Sequence, residues 1–189
     1  QLEPALALIA GRASRFLLAD EVGLGKTIQA GLMVAELQIQ GWCERALILT
    51  PSGLRRQWAD ELQQRFGIRA AVVDAAALST LTDALPYGVN PWAVEPVVIA
   101  SIDFVKQPDV LRGVSAQVWD ILIVDEAHHA RNPATARHRA LVALTSNARV
   151  LLLTATPLHN GVADVAALLS LFLGARAASL DPASAMRCI

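Results

Sequence analysis

The sequence predicts an α/β fold in which a parallel β-sheet is covered by helices on both faces. Six runs of consecutive apolar residues are spread along the 189-residue chain, at 16–19, 46–49, 70–73, 97–100, 121–124 and 150–153. None of the runs alternates apolar with polar residues, so each strand is expected to be buried on both of its faces. Segments long enough to form helices separate the runs, as is typical of a parallel sheet.

The composition favours one compact, water-soluble domain, because 54% of the residues are apolar. The longest apolar stretches, such as 165–173, are well short of the ~20 residues that a membrane-spanning helix needs. The first residues also lack the basic and apolar regions of a signal peptide. Cys43 and Cys188 are the only cysteines, too few for a disulfide framework or a thiolate zinc site. A reducing, cytoplasmic location is therefore expected.

The charge balance does not predict a broadly basic nucleic-acid platform. The formal net charge is −1, and Lys26 and Lys106 are the only lysines. Any contact with nucleic acid is therefore expected to be local. Because the chain begins with Gln1 and not with methionine, we expect it to be a piece of a longer protein.

The first elements surround a loop that is expected to bind phosphate. A short apolar segment, 2–10, can form a helix with Pro4 in its first turn. Strand 16–19 comes next, and the amphipathic run 28–40 predicts a helix after the loop. The loop between them consists of Asp20, Glu21, Val22, Gly23, Leu24, Gly25, Lys26 and Thr27.

The residue types of this loop suit a nucleoside triphosphate with Mg²⁺. Gly23 and Gly25 let the backbone turn with its N–H groups facing inward. Lys26 supplies a cation, and Thr27 places a hydroxyl, a candidate Mg²⁺ ligand, at a helix N-terminus where the dipole favours anions. Asp20 stands where the general phosphate-loop pattern has glycine. The alternative is a glycine-rich turn that simply ends a strand.

The later elements follow the same plan. Further helices are expected at 54–66, 134–147 and 162–173, and an irregular connection is expected at 81–96, which contains three prolines and a glycine. The four tryptophans, Trp42, Trp58, Trp92 and Trp119, are scattered along the chain. Such scatter favours packing roles over a base-stacking platform, which needs aromatic side chains on one face.

The apolar run 121–124 is followed by Asp125, Glu126, Ala127 and His128. Nucleotide sites lie at the carboxyl ends of parallel strands. Asp125 is therefore predicted to hold Mg²⁺ through water, and Glu126 to orient and deprotonate the attacking water. A carboxylate pair after a strand is a weak signal alone, but with Gly-Lys-Thr upstream it becomes a strong one.

The run 150–153 ends in Thr154, Ala155 and Thr156, whose hydroxyls are placed to meet the carboxylates after the neighbouring run. The alternative is ordinary capping of a strand end by threonine. The histidines, His128, His129, His138 and His159, could in principle form a zinc site. No two of them have an i, i+4 spacing, and no acidic or thiolate partner is indicated.

Three segments resemble motifs of the Swi/Snf-type, helicase-like ATPases of helicase superfamily two. Residues 20–27, DEVGLGKT, resemble motif I. The valine at position 22 resembles the form of this motif in the bacterial RapA-like branch. The DEAH of 125–128, with His129 after it, resembles motif II. Residues 154–156 resemble motif III, although relatives more often carry glycine where this chain has Ala155.

The resemblance implies a RecA-like, ATP-binding N-terminal lobe over 1–175, with 176–189 as its C-terminal tail and the second lobe absent from this chain. It implies that Gln1 reads the adenine edge and that His128 relays hydrolysis to motif III. Thr50 and Pro51, with Gln57, Trp58 and Glu61, resemble motif Ia, and residues 101–104 resemble the next nucleic-acid-facing motif. Backbone phosphates would be met near Thr50, Pro51, Ser52, Arg55 and Ser101, with Arg56 or Lys106 assisting. The alternative is a pair of solvated helix starts beside an exposed charged face.

The resemblance also implies a function for the intact two-lobed protein, which is ATP hydrolysis coupled to movement along duplex nucleic acid, chiefly double-stranded DNA. RNA polymerase is a further candidate partner. Because a second lobe supplies the arginine that completes the site, this chain alone is expected to bind Mg-ATP but to hydrolyse it slowly. The alternatives are a free-standing P-loop kinase and a nucleotide-gated binding module that offers residues 165–173 to a partner.

Overall fold

The computed structural model describes residues 14–19, 25–146, 148–155 and 168–171. Within them, one parallel sheet has the strand order β1-β6-β5-β2-β4-β3. Its strands are β1 (Arg15–Ala19), β2 (Ala46–Thr50), β3 (Ala71–Val72), β4 (Val97–Ser101), β5 (Ile121–Val124) and β6 (Arg149–Thr154). This sheet confirms the predicted α/β class.

Helices cover the sheet. They are α1 (Lys26–Ile39), α2 (Arg55–Phe66), α3 (Ala75–Ala84), α4 (Ile102–Val105), α5 (Pro108–Ser115) and α6 (Ala136–Thr145), and residues 168–171 are also helical. Single 3₁₀ turns lie at Ser52–Leu54, Pro91–Ala93 and Ala127–Ala130. Among the described helices, none has both the length and the apolar character that crossing a membrane requires.

Two apolar layers lie on opposite faces of the sheet, because successive side chains of a strand point to opposite sides. In β2, Leu47 and Leu49 join the layer under α4, α5 and α6, whereas Ala46 and Ile48 join the layer under α1 and α2. All five residues of β2 are buried. Burial on both faces explains why the apolar runs do not alternate.

The helix and strand boundaries depart from the sequence prediction in three places. The strand expected at 70–73 is only the two-residue β3, and the short helices α4 and α5 were not predicted. Helix α3 was not predicted either, and it extends into the connection expected at 81–96. It begins where the Asp74 carboxylate accepts a hydrogen bond from the backbone N–H of Ala77 at 3.0 Å, which is an N-cap. The helix predicted at 162–173 lies mostly outside the described residues.

The direction of the strands gathers the predicted motifs at one edge. Because all strands run parallel, their carboxyl ends share that edge, in the order Ala19, Thr154, Val124, Thr50, Ser101 and Val72. The phosphate loop follows the first of these ends, and the motif II residues follow the third. Only β6, which ends in Thr154, lies between them.

Candidate active site

The start of α1 has the backbone geometry of a helix N-terminus that follows a glycine turn. Gly25 precedes the helix with φ 81° and ψ 28°, a left-handed conformation that glycine adopts without steric cost. The first-turn N–H groups of a helix have no partner within the helix, and its dipole is positive at this end. Lys26 is buried and Thr27 is half-buried. Of the other predicted nucleotide-binding residues, Gln1, Asp20, Glu21, Val22, Gly23 and Leu24 lie outside the described residues, as does Thr156.

Asp125 is held in place by three hydrogen bonds. Its backbone N–H donates to the carbonyl of Leu49 at 2.8 Å, which continues the β5–β2 pairing past Val124. Carboxylate Oδ1 accepts from the backbone N–H of Glu126 at 2.9 Å, and Oδ2 accepts from the indole Nε1–H of Trp58 at 2.9 Å. Both oxygens therefore have a fixed orientation.

The pKa of Asp125 reflects both its burial and the charged residues around it, Glu126 and Lys26. Burial raises the pKa of Asp125 above its ordinary value, and the charge of Glu126 raises it further. The Trp58 hydrogen bond and the positive charge of Lys26 act in the opposite direction on this pKa. Lys26 is thus close enough to Asp125 for their charges to interact. A cation bound at this point would favour the ionised carboxylate.

Glu126 has an unusual backbone conformation and an unsatisfied oxygen. With φ 49° and ψ 46°, it is the one non-glycine residue with positive φ among those the structure describes. Such a conformation costs free energy in a residue that has a Cβ, and it is often found at active sites. Its Oε2 is buried and makes no hydrogen bond in the described structure. His128 Nδ1 lies 3.1 Å from Oε2, but without the alignment of a hydrogen bond.

His128 links this strand end to the next one. Its Nδ1 lies 3.2 Å from the hydroxyl oxygen of Thr154, which is fully buried at the end of β6. The His128 ring also lies beside that of His129, with 4.1 Å between the ring centroids. The sequence predicted that the threonine hydroxyls meet the carboxylates that follow β5, whereas the structure places the Thr154 hydroxyl against the imidazole of His128. Ala155 follows directly and is half-buried.

A cleft leads from these carboxylates towards the carboxyl ends of β2 and β4. Besides Asp125, Glu126 and His129, its lining includes Pro51, Ser52, Ile102, Asp103 and Arg137. Asp103 accepts two hydrogen bonds from the Arg137 guanidinium, both at 2.8 Å, and one from Lys106 at 2.6 Å. The carboxylate of Asp103 on α4 is thus held by Arg137 from α6 and by Lys106, the residue that follows α4.

The residues predicted to meet nucleic acid differ in exposure. Thr50 is fully buried, and its hydroxyl donates to the carbonyl of Pro51 at 2.9 Å. The Ser101 hydroxyl is also buried, and it accepts from the N–H of Phe104 to cap α4. Ser52 is exposed, and half-buried Arg55 donates to its carbonyl at 3.0 Å. Of these residues, Ser52, Arg55 and Pro51, which also lines the cleft, are accessible to a ligand in this conformation, and the nucleic-acid site itself stays a prediction.

Sequence reasoning missed one residue at the carboxylates, Trp58. It was expected to pack, and it does so, since it is 2% exposed like the similarly buried Trp92 and Trp119. The additional contact with Asp125 joins residues 67 positions apart. The signals in the sequence were its place in the segment that resembles motif Ia and its character as a bulky residue with one N–H donor on a helix that follows a strand end.

Comparison with known proteins gives a consistent result. The family model described as SNF2-related domain matches residues 6–181. The RNA polymerase-associated protein RapA of Yersinia enterocolitica is 42% identical over 154 residues, which cover 79% of this chain and 16% of that protein. RapA of Yersinia pestis matches to the same extent. The chain therefore spans 16% of the length of these curated relatives.

Two solved structures have the same fold. The Sulfolobus solfataricus SWI2/SNF2 ATPase core in complex with dsDNA has a TM-score of 0.67 at 22% identity, covering 82% of this chain and 31% of that chain. The SWI2/SNF2 ATPase core domain from the same organism also has a TM-score of 0.67, at 20% identity, covering 89% and 32%. These likenesses confirm the RecA-like fold.

Proposed function

The chain belongs to the SNF2-related domain family, and from that membership we propose that the carboxyl edge of its sheet binds Mg-ATP for hydrolysis. The observation that carries this proposal is geometric: α1, which begins at Lys26, follows β1, Asp125 follows β5, and the carboxyl ends of these two strands share one edge of the sheet with only β6 between them. Lys26 can bind phosphate, and the two carboxylates can hold a metal ion and a water molecule. The fold brings these groups to the same edge of the sheet.

The described residues fit a magnesium nucleotide. The Asp125 carboxylate and the Thr27 hydroxyl are hard oxygen donors, which Mg²⁺ prefers, and Asp125 would hold the ion through water. The buried, unsatisfied Oε2 of Glu126 is suited to a water molecule that arrives with the ligand. When bound, Mg²⁺ neutralises charge on the β- and γ-phosphates.

The protein residues then have distinct tasks. The N–H groups at the start of α1, the Lys26 ammonium and the loop from Asp20 to Leu24 hold the phosphates, and Gln1 reads the adenine edge. Glu126 orients the attacking water and accepts its proton as the water oxygen bonds to the γ-phosphorus and the bridging P–O bond breaks. His128 transmits the change at Glu126 to Thr154 and, through it, to Ala155 and Thr156.

We further propose that hydrolysis drives movement along double-stranded DNA in a protein that has a second RecA-like lobe. The names of the similar proteins support this, since one solved ATPase core is in complex with dsDNA and the RapA relatives are RNA polymerase-associated. Backbone phosphates would be met at the start of α2, near Ser52 and Arg55, with Arg56 or Lys106 assisting. RNA polymerase is the proposed protein partner.

The first test is titration calorimetry of the 189-residue chain with Mg²⁺ and a non-hydrolysable ATP analogue. We expect Lys26→Ala to weaken binding by at least about tenfold, because a charged hydrogen-bond donor to phosphate is lost. Arg112→Ala is the matched control, since Arg112 is a highly exposed cation on α5. Equal binding by the parent and by Lys26→Ala would contradict the proposed site.

A second test concerns turnover. We expect the 189 residues alone to hydrolyse ATP slowly, with little stimulation by duplex DNA, because the second lobe provides the arginine that stabilises the transition state. Phosphate release with and without DNA measures this. Strong DNA-stimulated hydrolysis by these 189 residues would show that they need no second lobe.

A further inference from the structure

Trp58 makes a contact that its packing role does not require. Its ring lies in the apolar layer between the sheet and helices α1 and α2. From that layer, its Nε1–H donates to Oδ2 of Asp125 at 2.9 Å. Helix α2 follows β2 and Asp125 follows β5, and these two strands are neighbours in the sheet. The hydrogen bond therefore connects two strand ends through a single side chain.

The choice of acceptor distinguishes Trp58 from another buried tryptophan. A buried indole N–H needs a hydrogen-bond partner. Trp119, which is also almost fully buried, satisfies this need with the backbone carbonyl of Val114 at 3.0 Å. Trp58 instead donates to a half-buried carboxylate, whose desolvation is unfavourable. Packing alone does not explain why the donor is directed at this group.

The two donors on Asp125 together determine how the carboxylate is rotated. The N–H of Glu126 holds Oδ1 and the indole of Trp58 holds Oδ2. With one oxygen held from its own chain segment and the other from α2, the group cannot rotate freely about its Cβ–Cγ bond. Both donors are neutral, so they orient the carboxylate without cancelling the negative charge that attracts a cation. A lysine or arginine in place of Trp58 would compete with the metal ion.

We propose that Trp58 is a positioning residue that holds the Asp125 carboxylate in the orientation that receives hydrated Mg²⁺, so that the metal-dependent part of nucleotide binding depends on the indole N–H. This inference rests on the proposed Mg-ATP site. It assigns Trp58 no contact with the nucleotide. Loss of the N–H should therefore reduce the increase in nucleotide affinity that Mg²⁺ provides. Nucleotide affinity without metal should stay unchanged.

The test compares Trp58→Phe with the parent in the 189-residue chain, using a non-hydrolysable ATP analogue in Mg²⁺ and in EDTA. The measured quantity is the dissociation constant in EDTA divided by the dissociation constant in Mg²⁺, which is the gain in affinity that Mg²⁺ provides. We expect Trp58→Phe to reduce this ratio by about tenfold, because one hydrogen bond to a charged group is lost, with metal-free binding within about twofold of the parent. Trp119→Phe is the matched control and should leave both constants unchanged.

A second variant distinguishes loss of the hydrogen bond from loss of packing. Placing 3-benzothienylalanine at position 58 replaces the N–H by sulfur and keeps the size of the ring system, so the same reduced ratio is expected with full packing. In the Asp125→Asn background, Trp58→Phe should produce no further reduction, since the two residues act through one contact.

The outcomes separate this inference from the proposed function. A parent that gains affinity from Mg²⁺, with the same gain in Trp58→Phe and in the benzothienyl variant, overturns the role of Trp58 alone. Equal weakening with and without Mg²⁺ also overturns it, because that pattern indicates packing. A parent that gains nothing from Mg²⁺ contradicts the proposed site and this inference together.

Discussion

His128 and Thr154 lie 3.2 Å apart, Nδ1 to Oγ1, although they belong to different strand ends. Thr154→Val keeps the size of the buried side chain and removes the hydroxyl that contacts the imidazole. We expect single-turnover hydrolysis to slow by about tenfold, the effect of losing one hydrogen bond of about 1 kcal/mol or slightly more, with little change in Mg-nucleotide affinity. Single-turnover hydrolysis assays with the chain in excess, followed over long incubations, measure the rate.

Thr145→Val is the control for this prediction. Thr145 is also buried, and its hydroxyl donates to the carbonyl of Leu171 at 2.8 Å, in the apolar layer below α6. Its loss should lower the free energy of unfolding by about 1 kcal/mol and leave the hydrolysis rate unchanged. An equal loss of rate in both variants would show that Thr154 acts through stability.

The left-handed backbone of Glu126 predicts different stabilities for two inactive variants. Glu126→Ala and Glu126→Gly both remove the carboxylate, so both should lose hydrolysis. The glycine variant should be more stable by about 1 kcal/mol, because a Cβ is unfavourable at φ 49°. Urea denaturation measures the difference.

The same pair of changes at Glu36, inside α1, should give the opposite order. Glycine in a helix interior is less favourable than alanine by about 1 kcal/mol. If the glycine variant were the less stable one at both positions, the backbone at Glu126 would not be strained.

The contact of Asp103 with Arg137 predicts a pH dependence of stability. Hydrogen bonds from Arg137 and Lys106 lower the pKa of Asp103 from 3.8 to about 2. A lowered carboxyl pKa stabilises the fold above the unfolded pKa, and the contribution is lost as the pH falls from about 4 to about 2. Since the Asp103 and Arg137 side chains are 49% and 36% exposed, solvent screening limits the contribution to about 1 kcal/mol or less.

Denaturation of the parent and of Asp103→Asn across this pH range tests the prediction. The difference in unfolding free energy should be largest near neutral pH and should vanish near pH 2. Asp109→Asn is the control, because Asp109 contacts Arg112 in a pair that is almost fully exposed. It should have no measurable effect, and a pH-independent loss in Asp103→Asn would point to a cause other than ionisation.

The close packing of α1 against α2 at Gly31 predicts that a larger residue there will lower the stability of the fold. A Cβ at this position of α1 would clash with the ring of Phe66 at the end of α2, lying 2.8 Å from its Cδ2 and closer still to its Cε2. Alanine would favour the helix by about 1 kcal/mol, but we expect overpacking to outweigh this and to destabilise Gly31→Ala by about 1–2 kcal/mol net.

Phe66→Leu should relieve the clash, so the double variant should lose less stability than the sum of the single changes. Thermal or urea unfolding of the four proteins measures this coupling. Gly53→Ala is the control, since a Cβ at that position would have no atom within 4 Å. Strictly additive effects of Gly31→Ala and Phe66→Leu would mean that the two residues do not clash.

The sequence allowed prediction of the features that depend on local patterns. Consecutive apolar residues predicted the doubly buried strands, and the order of strand, loop and helix predicted the position of Lys26. Asp125 and Glu126 were identified because they follow a strand, and His128 was identified through the resemblance to motif II. Helix α3 was missed, although Asp74, a residue type that favours N-caps, stands immediately before the run of alanines where it begins.

Features that depend on distant residues were not predictable in this way. The contact of Trp58 with Asp125 spans 67 positions, and that of Arg137 with Asp103 spans 34. The left-handed conformation of Glu126 had no signal either, because residue preferences at that position favour glycine or asparagine. Tertiary structure imposes these three arrangements on ordinary residue types.

The pairing of β1 has a consequence for the order in which the strands can pair while the chain is being synthesised. Within the described sheet β1 pairs with β6 alone, matching Arg15 with Val150 and Ala19 with Thr154. The ribosome therefore releases the strand that carries the phosphate loop long before its neighbour exists. Pairings of such wide sequence separation form slowly, because a long loop must close first. A nascent chain can assemble β2, β4 and β5 early, whereas β1 gains its one partner in the described sheet only when residues 149–154 have emerged.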